Sequence, residues 1–347
     1  MYFKKILLAI ALIGLIIAGL FANYIHGVML VDNTAFNNNE AYIYVPSNAT
    51  YADVREQLKP LLKDIDKFDA LAKQKKYVSN IKAGRFVVKK GMNNNDIINS
   101  IRSKNLPIKI VFNNQTNLES LAGRISIQIE ADSLKLFEVM KDEAFLKENS
   151  FSNATALGMY IPNSYEFFWN TSAIEFRDRM LKEYKRFWND NRQAKAKAIG
   201  LTQDEVMALA SIVYEESKQA IEQPRIAGVY LNRLRIGMPL QADPTLKFAA
   251  YQLPQYKNTV IRRVLNIHKE IESPYNTYKY LGLPPGLIAM PDLSAIKAVL
   301  NPEKHGYLYF AADAKRIGYH KFAKTLGQHN NNARAYHQYL SSQGINK

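Results

Sequence analysis

The first thirty residues constrain this chain most. After Lys4 and Lys5 no charged residue appears until Asp32, and Ile6 to Ala22 is an unbroken apolar run. With the uncharged stretch that continues to Val31, the run reaches the ~20 residues a helix needs to cross a bilayer core. Two lysines precede it and place the N-terminus in the cytoplasm by the positive-inside tendency. The expectation is a single-pass helix in the cytoplasmic membrane, with everything after it outside (in the periplasm, if the cell has an outer membrane). A cleaved signal peptide is the alternative, although no clear small-x-small site follows the run. Both readings put the working part outside the cytoplasm.

Composition narrows the chemistry. The 347 residues contain no cysteine, which removes disulfides, thiolate metal sites, iron–sulfur clusters and a cysteine nucleophile. His26, His268, His305, His320, His329 and His337 show no metal-ligand spacing, so neither a metal nor any other cofactor is expected. The formal net charge of +15 suits anionic lipid or an anionic wall polymer. Nucleic acid is not an expected partner, because the chain faces outward and lacks aromatic–basic alternation.

Residues 32–41 are polar and read as a short linker. A weak internal repeat then aligns 45–58 with 88–101. In each copy a strand-like segment (Tyr42–Val45; Arg85–Val88) runs into a turn, a capping residue (Thr50; Asn93), an aspartate three positions on (Asp53; Asp96) and a helical pair of apolar residues. A third partial copy starts at Val111, with Thr116 as cap and Glu119 completing a capping box. Strand, turn and capped helix is how small LysM-type carbohydrate-binding modules are built, and the region 42–112 resembles one. An ordinary strand–helix scaffold fits the same pattern. Residues 113–200 read as helices broken by loops. Within them Met159–Asn170 is dense in aromatic residues and suits either sugar stacking or core packing. Phe176–Asn189 reads as an amphipathic helix with a solvated charged face.

Chemistry concentrates after residue 200. Thr202 and Glu205 form a capping box that opens a helix. At 100° per residue Val206, Leu209, Ala210 and Val213 share one face, Glu216 falls at its edge, and Glu215 points nearly opposite, toward water. An edge carboxyl is partly desolvated, which raises its pKa and keeps it protonated as a general acid requires. A second helix runs from Ile226 and ends at Gly237, before a Pro-bearing loop carrying Gln241 and Asp243. The segments Ser273–Tyr278 and Gly282–Ile288 are further loops rich in Pro, Gly and uncharged polar groups, suited to a sugar-binding wall or to structural turns.

These pieces together resemble the MltG (YceG-like) family of membrane-anchored endolytic murein transglycosylases. The matching motifs are Ala210-Ser-Ile-Val-Tyr-Glu-Glu-Ser217, Asn232-Arg-Leu-Arg, Leu240-Gln-Ala-Asp-Pro-Thr, Pro274-Tyr-Asn-Thr-Tyr, Gly282-Leu-Pro-Pro-Gly, Tyr309-Phe-Ala-Ala-Asp, His320-x-Phe and His329-Asn. They are dense from about Val206 to Asn332 and thinner upstream. The family pattern has a glutamate where this chain has Tyr214, and its second glutamate aligns with Glu216. Gln328 stands where an acid often precedes the His-Asn pair.

The resemblance implies an α+β chain: anchor (1–31), linker (32–41), LysM-like module (42–112), a connecting part (113–200) and a mixed α/β catalytic core (201–347). It also implies a lyase that cuts glycan strands of peptidoglycan from within, leaves 1,6-anhydro ends and limits strand elongation. The partners implied are those strands, the membrane and a peptidoglycan synthase. Glu216 is the expected catalytic acid and base. Gln241, Asn276 and Tyr278 are the candidates for holding the sugar, Asp243 for orienting the site or supporting positive charge, and Arg233 for pairing with acidic groups of the site or substrate. Two alternatives stay open: a muramidase that uses Asp243 as second carboxylate, and a non-catalytic wall-binding membrane protein.

Overall fold

The computed structural model describes residues 2–256 and 259–343. Helix α1 (Tyr2–Met29) is exposed from Tyr2 to Tyr24 and partly covered in its last turn, where Val28 is buried, and it is long and apolar enough to cross a membrane. The chain folds into two compact units.

The first unit comprises residues 1–110, 127–131 and 165–172. After α1 come β1 (Glu40–Val45), α2 (Tyr51–Leu58), α3 (Ile65–Gln74), β2 (Gly84–Lys89) and α4 (Asn94–Ser103). Strands β1 and β2 pair antiparallel, Tyr42 opposite Val87 and Tyr44 opposite Arg85. Alternation along β1 buries Ile43 and Val45 while Tyr42 and Tyr44 face outward, as a strand with one covered face requires. The repeat read from sequence is real at its caps. Thr50 and Asp53 form a reciprocal box, and Asn93 accepts from the Asp96 N–H. Residues 32–34, expected to be part of a linker, are tied down. Asp32 bridges to Asn93 and Thr34 to Leu62, and Asn33 bonds both Asn94 and the Asp64 carbonyl. Asn94 in turn donates to the carbonyl of Val28, whose side chain joins the core of this unit.

The second unit comprises residues 111–126, 132–164 and 173–347. It is mostly helical: α5 (Leu118–Ser126), α6 (Ser133–Met140), α7 (Glu143–Glu148), α8 (Ala173–Phe187), α9 (Asp190–Ala198), α10 (Gln203–Glu216), α11 (Gln223–Arg235), α12 (Asp243–Tyr251), α13 (Asn266–Lys269), α14 (Leu293–Leu300) and α15 (Leu326–Ser342). Between α14 and α15 lies one antiparallel pair, with His320 opposite Ala312; we number it β5 (Tyr309–Ala312) and β6 (His320–Ala323) after β3 (Pro107–Phe112) and β4 (Asn163–Phe168), which form a two-stranded sheet of their own. The chain is therefore α+β.

Two local expectations change. The third repeat copy is capped by Asn117, whose Oδ1 accepts from the Ser120 N–H at 2.8 Å, and not by Thr116; the two neighbouring residues are both good caps, and sequence rank does not separate them sharply. The aromatic segment Met159–Asn170 is largely core. Tyr160, Tyr165 and Phe167 are buried, leaving Phe168 exposed.

Candidate active site

Helix α10 carries eight consecutive buried residues, Val206 to Val213, and ends at Glu216 because Ser217 turns into extended backbone. Its capping box forms as read, with Thr202 and Glu205 bonding reciprocally. Ser211, inside this helix, is fully buried and accepts the Ile288 N–H, so α10 holds the end of the Gly282–Ile288 loop. Glycine at 286 is required there. A side chain would collide with the backbone carbonyl of Ala154.

The two adjacent glutamates separate as the helical wheel requires. Glu215 is exposed and pairs with Lys218 at 2.8 Å. Glu216 is only partly accessible and opens onto a cavity of about 380 Å³. Burial pushes its carboxyl up from 4.5 to about 7; Asp243 adds to the rise, while the Tyr230 hydrogen bond, Arg233 and Lys247 oppose it. At neutral pH a large share of the molecules therefore holds this proton.

Tyr230 lies on α11, behind the carboxyl. Its hydroxyl donates to Glu216 Oε1 at 2.6 Å, and its ring is 1% exposed. That bond leaves Oε2 free to exchange a proton with a ligand. Arg233, one turn further along α11, is almost fully buried. Its guanidinium donates to the carbonyls of Leu308 and Leu240, both at 2.6 Å. Arg233 thus lines the cavity while binding two of its walls together.

The loop from Leu240 to Asp243 is held by Thr277. The Gln241 N–H donates to its carbonyl and the Ala242 N–H to its hydroxyl. Gln241 adopts φ 47°, left-handed backbone that costs a non-glycine residue about 1 kcal/mol. This conformation accompanies a place on the cavity wall. Asp243 also lines it, and its Oδ1 accepts the Tyr278 hydroxyl at 2.6 Å. Burial is the main cause that pushes the Tyr278 phenol up, with Asp243 next.

Asn276 departs from expectation. It is fully buried and is absent from the cavity wall. Its Nδ2 donates to the carbonyls of Lys269 and Ile271, while Oδ1 accepts the N–H of Tyr278. With donors and acceptor engaged, it braces the loop that carries Tyr278 and has no free group for a sugar. Tyr214 is likewise away from the cavity, its hydroxyl on Asn114. The glutamate of the family pattern missing at this position is therefore not missing from the pocket.

Sequence reasoning did not single out Tyr230, Tyr309, Phe310, His320 or His329 as site residues, yet all line the cavity. Tyr230 stands three residues before Arg233, one helical turn, which was the available signal. Tyr309 and Phe310 lie on β5 and His320 on β6, joined by the sheet pairing, while His329 lies on α15 with its ring stacked on Tyr309 at 5.5 Å.

A partly buried, protonatable carboxyl on an open polar cavity is the kind of arrangement that general acid catalysis uses. The chain belongs to the YceG-like family, which it matches over residues 43–335. It is 29% identical over 318 residues to the endolytic murein transglycosylase of Bacillus subtilis, covering 86% of this chain and 85% of that protein. It is 28% identical over 274 residues to the endolytic murein transglycosylase of Streptococcus pneumoniae, where it covers 71% of itself and 49%, about half, of the relative. A crystal structure of a YceG-like protein from Listeria monocytogenes superposes with a TM-score of 0.56 at 26% identity, covering 85% of this chain and 99% of that one.

Proposed function

We propose that this chain is a membrane-anchored endolytic murein transglycosylase, a lyase acting on peptidoglycan glycan strands outside the cytoplasm. The observation that carries the reading is Glu216, a carboxyl raised to about 7 by burial on a cavity rich in hydrogen-bonding groups. The relatives' names supply the substrate class.

In this reaction protonated Glu216 donates its proton to the oxygen bridging N-acetylmuramic acid to N-acetylglucosamine. The C1–oxygen bond breaks and the N-acetylglucosamine side leaves as an alcohol. The C6 hydroxyl of the same muramyl sugar then closes on C1, and its proton returns to Glu216, which restores the acid. An internal nucleophile needs no activated water, so one carboxyl suffices. Tyr230 keeps Oε1 occupied and steadies the carboxylate between the two transfers. Asp243 and Tyr278, bonded to each other, present a negative edge toward which positive charge at C1 can develop. Gln241 and Tyr278 are the wall groups suited to sugar hydroxyls, and Arg233 keeps the walls in register.

The first unit, with its strand–helix–helix–strand order, is read as a LysM-like module that holds the same polymer, and α1 as the single-pass anchor. A peptidoglycan synthase is the natural supplier of nascent strands. Asp243 also favours a second reading, hydrolysis with two carboxylates, because it shares the cavity and raises the Glu216 carboxyl. Digestion of uncrosslinked strands in heavy-oxygen water separates the two. The lyase gives anhydro ends one water lighter and free of label, and Glu216→Gln abolishes them. Label in the new ends would reject the lyase.

A further inference from the structure

The mechanism above leaves unused one cavity-lining imidazole, His320, and the buried carboxylate behind it, Glu222. Glu222 stands at the N-cap of α11, but its carboxylate makes no capping bond to its own helix. It turns instead to β6. Oε1 accepts the backbone N–H of His320 at 2.9 Å, and Oε2 lies 3.1 Å from His320 Nδ1. Glu222 is 6% exposed. The imidazole packs edge-on against Phe310, with ring centroids 5.2 Å apart, and it belongs to the wall that Glu216 also lines.

A carboxylate that accepts from a ring nitrogen selects the tautomer carrying hydrogen on that nitrogen. Neutral His320 is therefore fixed with hydrogen on Nδ1, and Nε2 is left as an acceptor. Nε2 has no hydrogen-bond partner among the described residues, and His320 is part of the cavity wall. A stapling role alone is already met by Oε1 on the backbone N–H. The second oxygen orients the ring, which a staple does not need. Arg233, on the same wall, can only donate.

We infer that Glu222 and His320 form a positioning pair for the Glu216 reaction, in which Glu222 sets the imidazole tautomer and His320 Nε2 accepts a hydrogen bond from a hydroxyl of the bound sugar. This inference rests on the glycan reading of the cavity. It adds a specificity element, since an acceptor at this point favours a hydroxyl over a carboxylate or a carbonyl of a peptide.

The test uses the full-length chain in lipid nanodiscs. With 15N-labelled histidine at pH 8, the His320 spectrum shows a protonated Nδ1 and an unprotonated Nε2, and uncut glycan strands added to Glu216→Gln shift the Nε2 resonance. A protonated Nε2 in the free chain, or a resonance that glycan does not move, overturns the inference. Glu222→Gln keeps an acceptor for the backbone N–H but offers an amide donor to Nδ1, which inverts the tautomer. Its kcat on glycan strands falls about 10-fold with KM and the thermal midpoint little changed. His320→Phe loses as much, and His320→Gln, which retains an acceptor, recovers most of it. Full activity in Glu222→Gln, a loss that follows the thermal midpoint, or better recovery by His320→Lys than by His320→Gln would refute it. If the wild-type chain leaves glycan uncut, the transglycosylase reading fails on its own, and the two spectroscopic results still decide this one.

Discussion

Burial and the Tyr230 hydrogen bond act on the Glu216 carboxyl in opposite directions, and in the proposed mechanism that balance sets the working pH. Burial raises the carboxyl and the tyrosine hydrogen bond lowers it, with a balance at about 7. Because the proposed mechanism begins from the protonated form, kcat/KM is expected to decline as pH rises through about 7. Tyr230→Phe removes the lowering contribution, and a bond to an ionised group is worth about 1.5 kcal/mol or more, so the declining limb should move about one pH unit upward. A pH–rate series on glycan strands measures this, and an unmoved limb would mean that Tyr230 does not touch the titrating group. Stability follows the same sign. An acid with a raised folded pKa favours folding most below about 4.5, and that advantage is lost as pH rises through about 7. Glu216→Gln should therefore gain thermal stability over wild type with increasing pH. The position of Glu216 was legible in the sequence because helical geometry is local: fourteen residues of α10 suffice to place it at the edge of the buried face. Tyr230 was not, since its approach depends on how α11 packs against α10. Asn276 misled for the opposite reason. A polar residue in an uncharged loop reads as available, and only the structure shows its amide already committed to Lys269, Ile271 and Tyr278.

At the scale of elements, the motifs divide into those that meet the cavity and those that hold the frame. Ser211 and the Gly282–Ile288 loop belong to the frame, through the bond from Ile288 N–H to Ser211 and the close approach of Gly286 to Ala154. Gly286→Ala forces a methyl group against a backbone carbonyl that has little room to give. We expect a loss of about 2–3 kcal/mol and a thermal midpoint lower by several degrees, read by calorimetry, with activity falling only as folded protein is lost. A variant as stable as wild type would show that the loop can shift freely. The capping boxes of α2 and α10 were visible because each is completed within four residues. The cap of α5 was placed one residue early because Thr116 and Asn117 compete on nearly equal terms. The wall made by β5 and β6 left the weakest trace, since two four-residue strands carry too short a pattern to register as strands.

At the scale of the molecule, the chain visits its first unit three times, through 1–110, 127–131 and 165–172. A reading that moves along the sequence has no means of seeing such returns, because they depend on packing between distant segments. The start of the chain was easier. An apolar run bounded by charges is visible without any tertiary information, although its seating on the core of the first unit is not. That seating depends on Asn94, which is fully buried between the Val28 carbonyl and the Asn33 amide. Asn94→Leu keeps the volume and leaves those groups unpaired, at a cost of about 1–3 kcal/mol for each one stranded. Amide hydrogen exchange at residues 28–34 should accelerate accordingly, and unchanged protection would show that α1 is held by packing alone. Only residues 29–31 lie between Val28 and residues 32–34, and both ends of that stretch are bonded to the first unit. If α1 is the anchor proposed above, a bilayer that changes the lean of that helix would pull on the first unit through a tether of three residues.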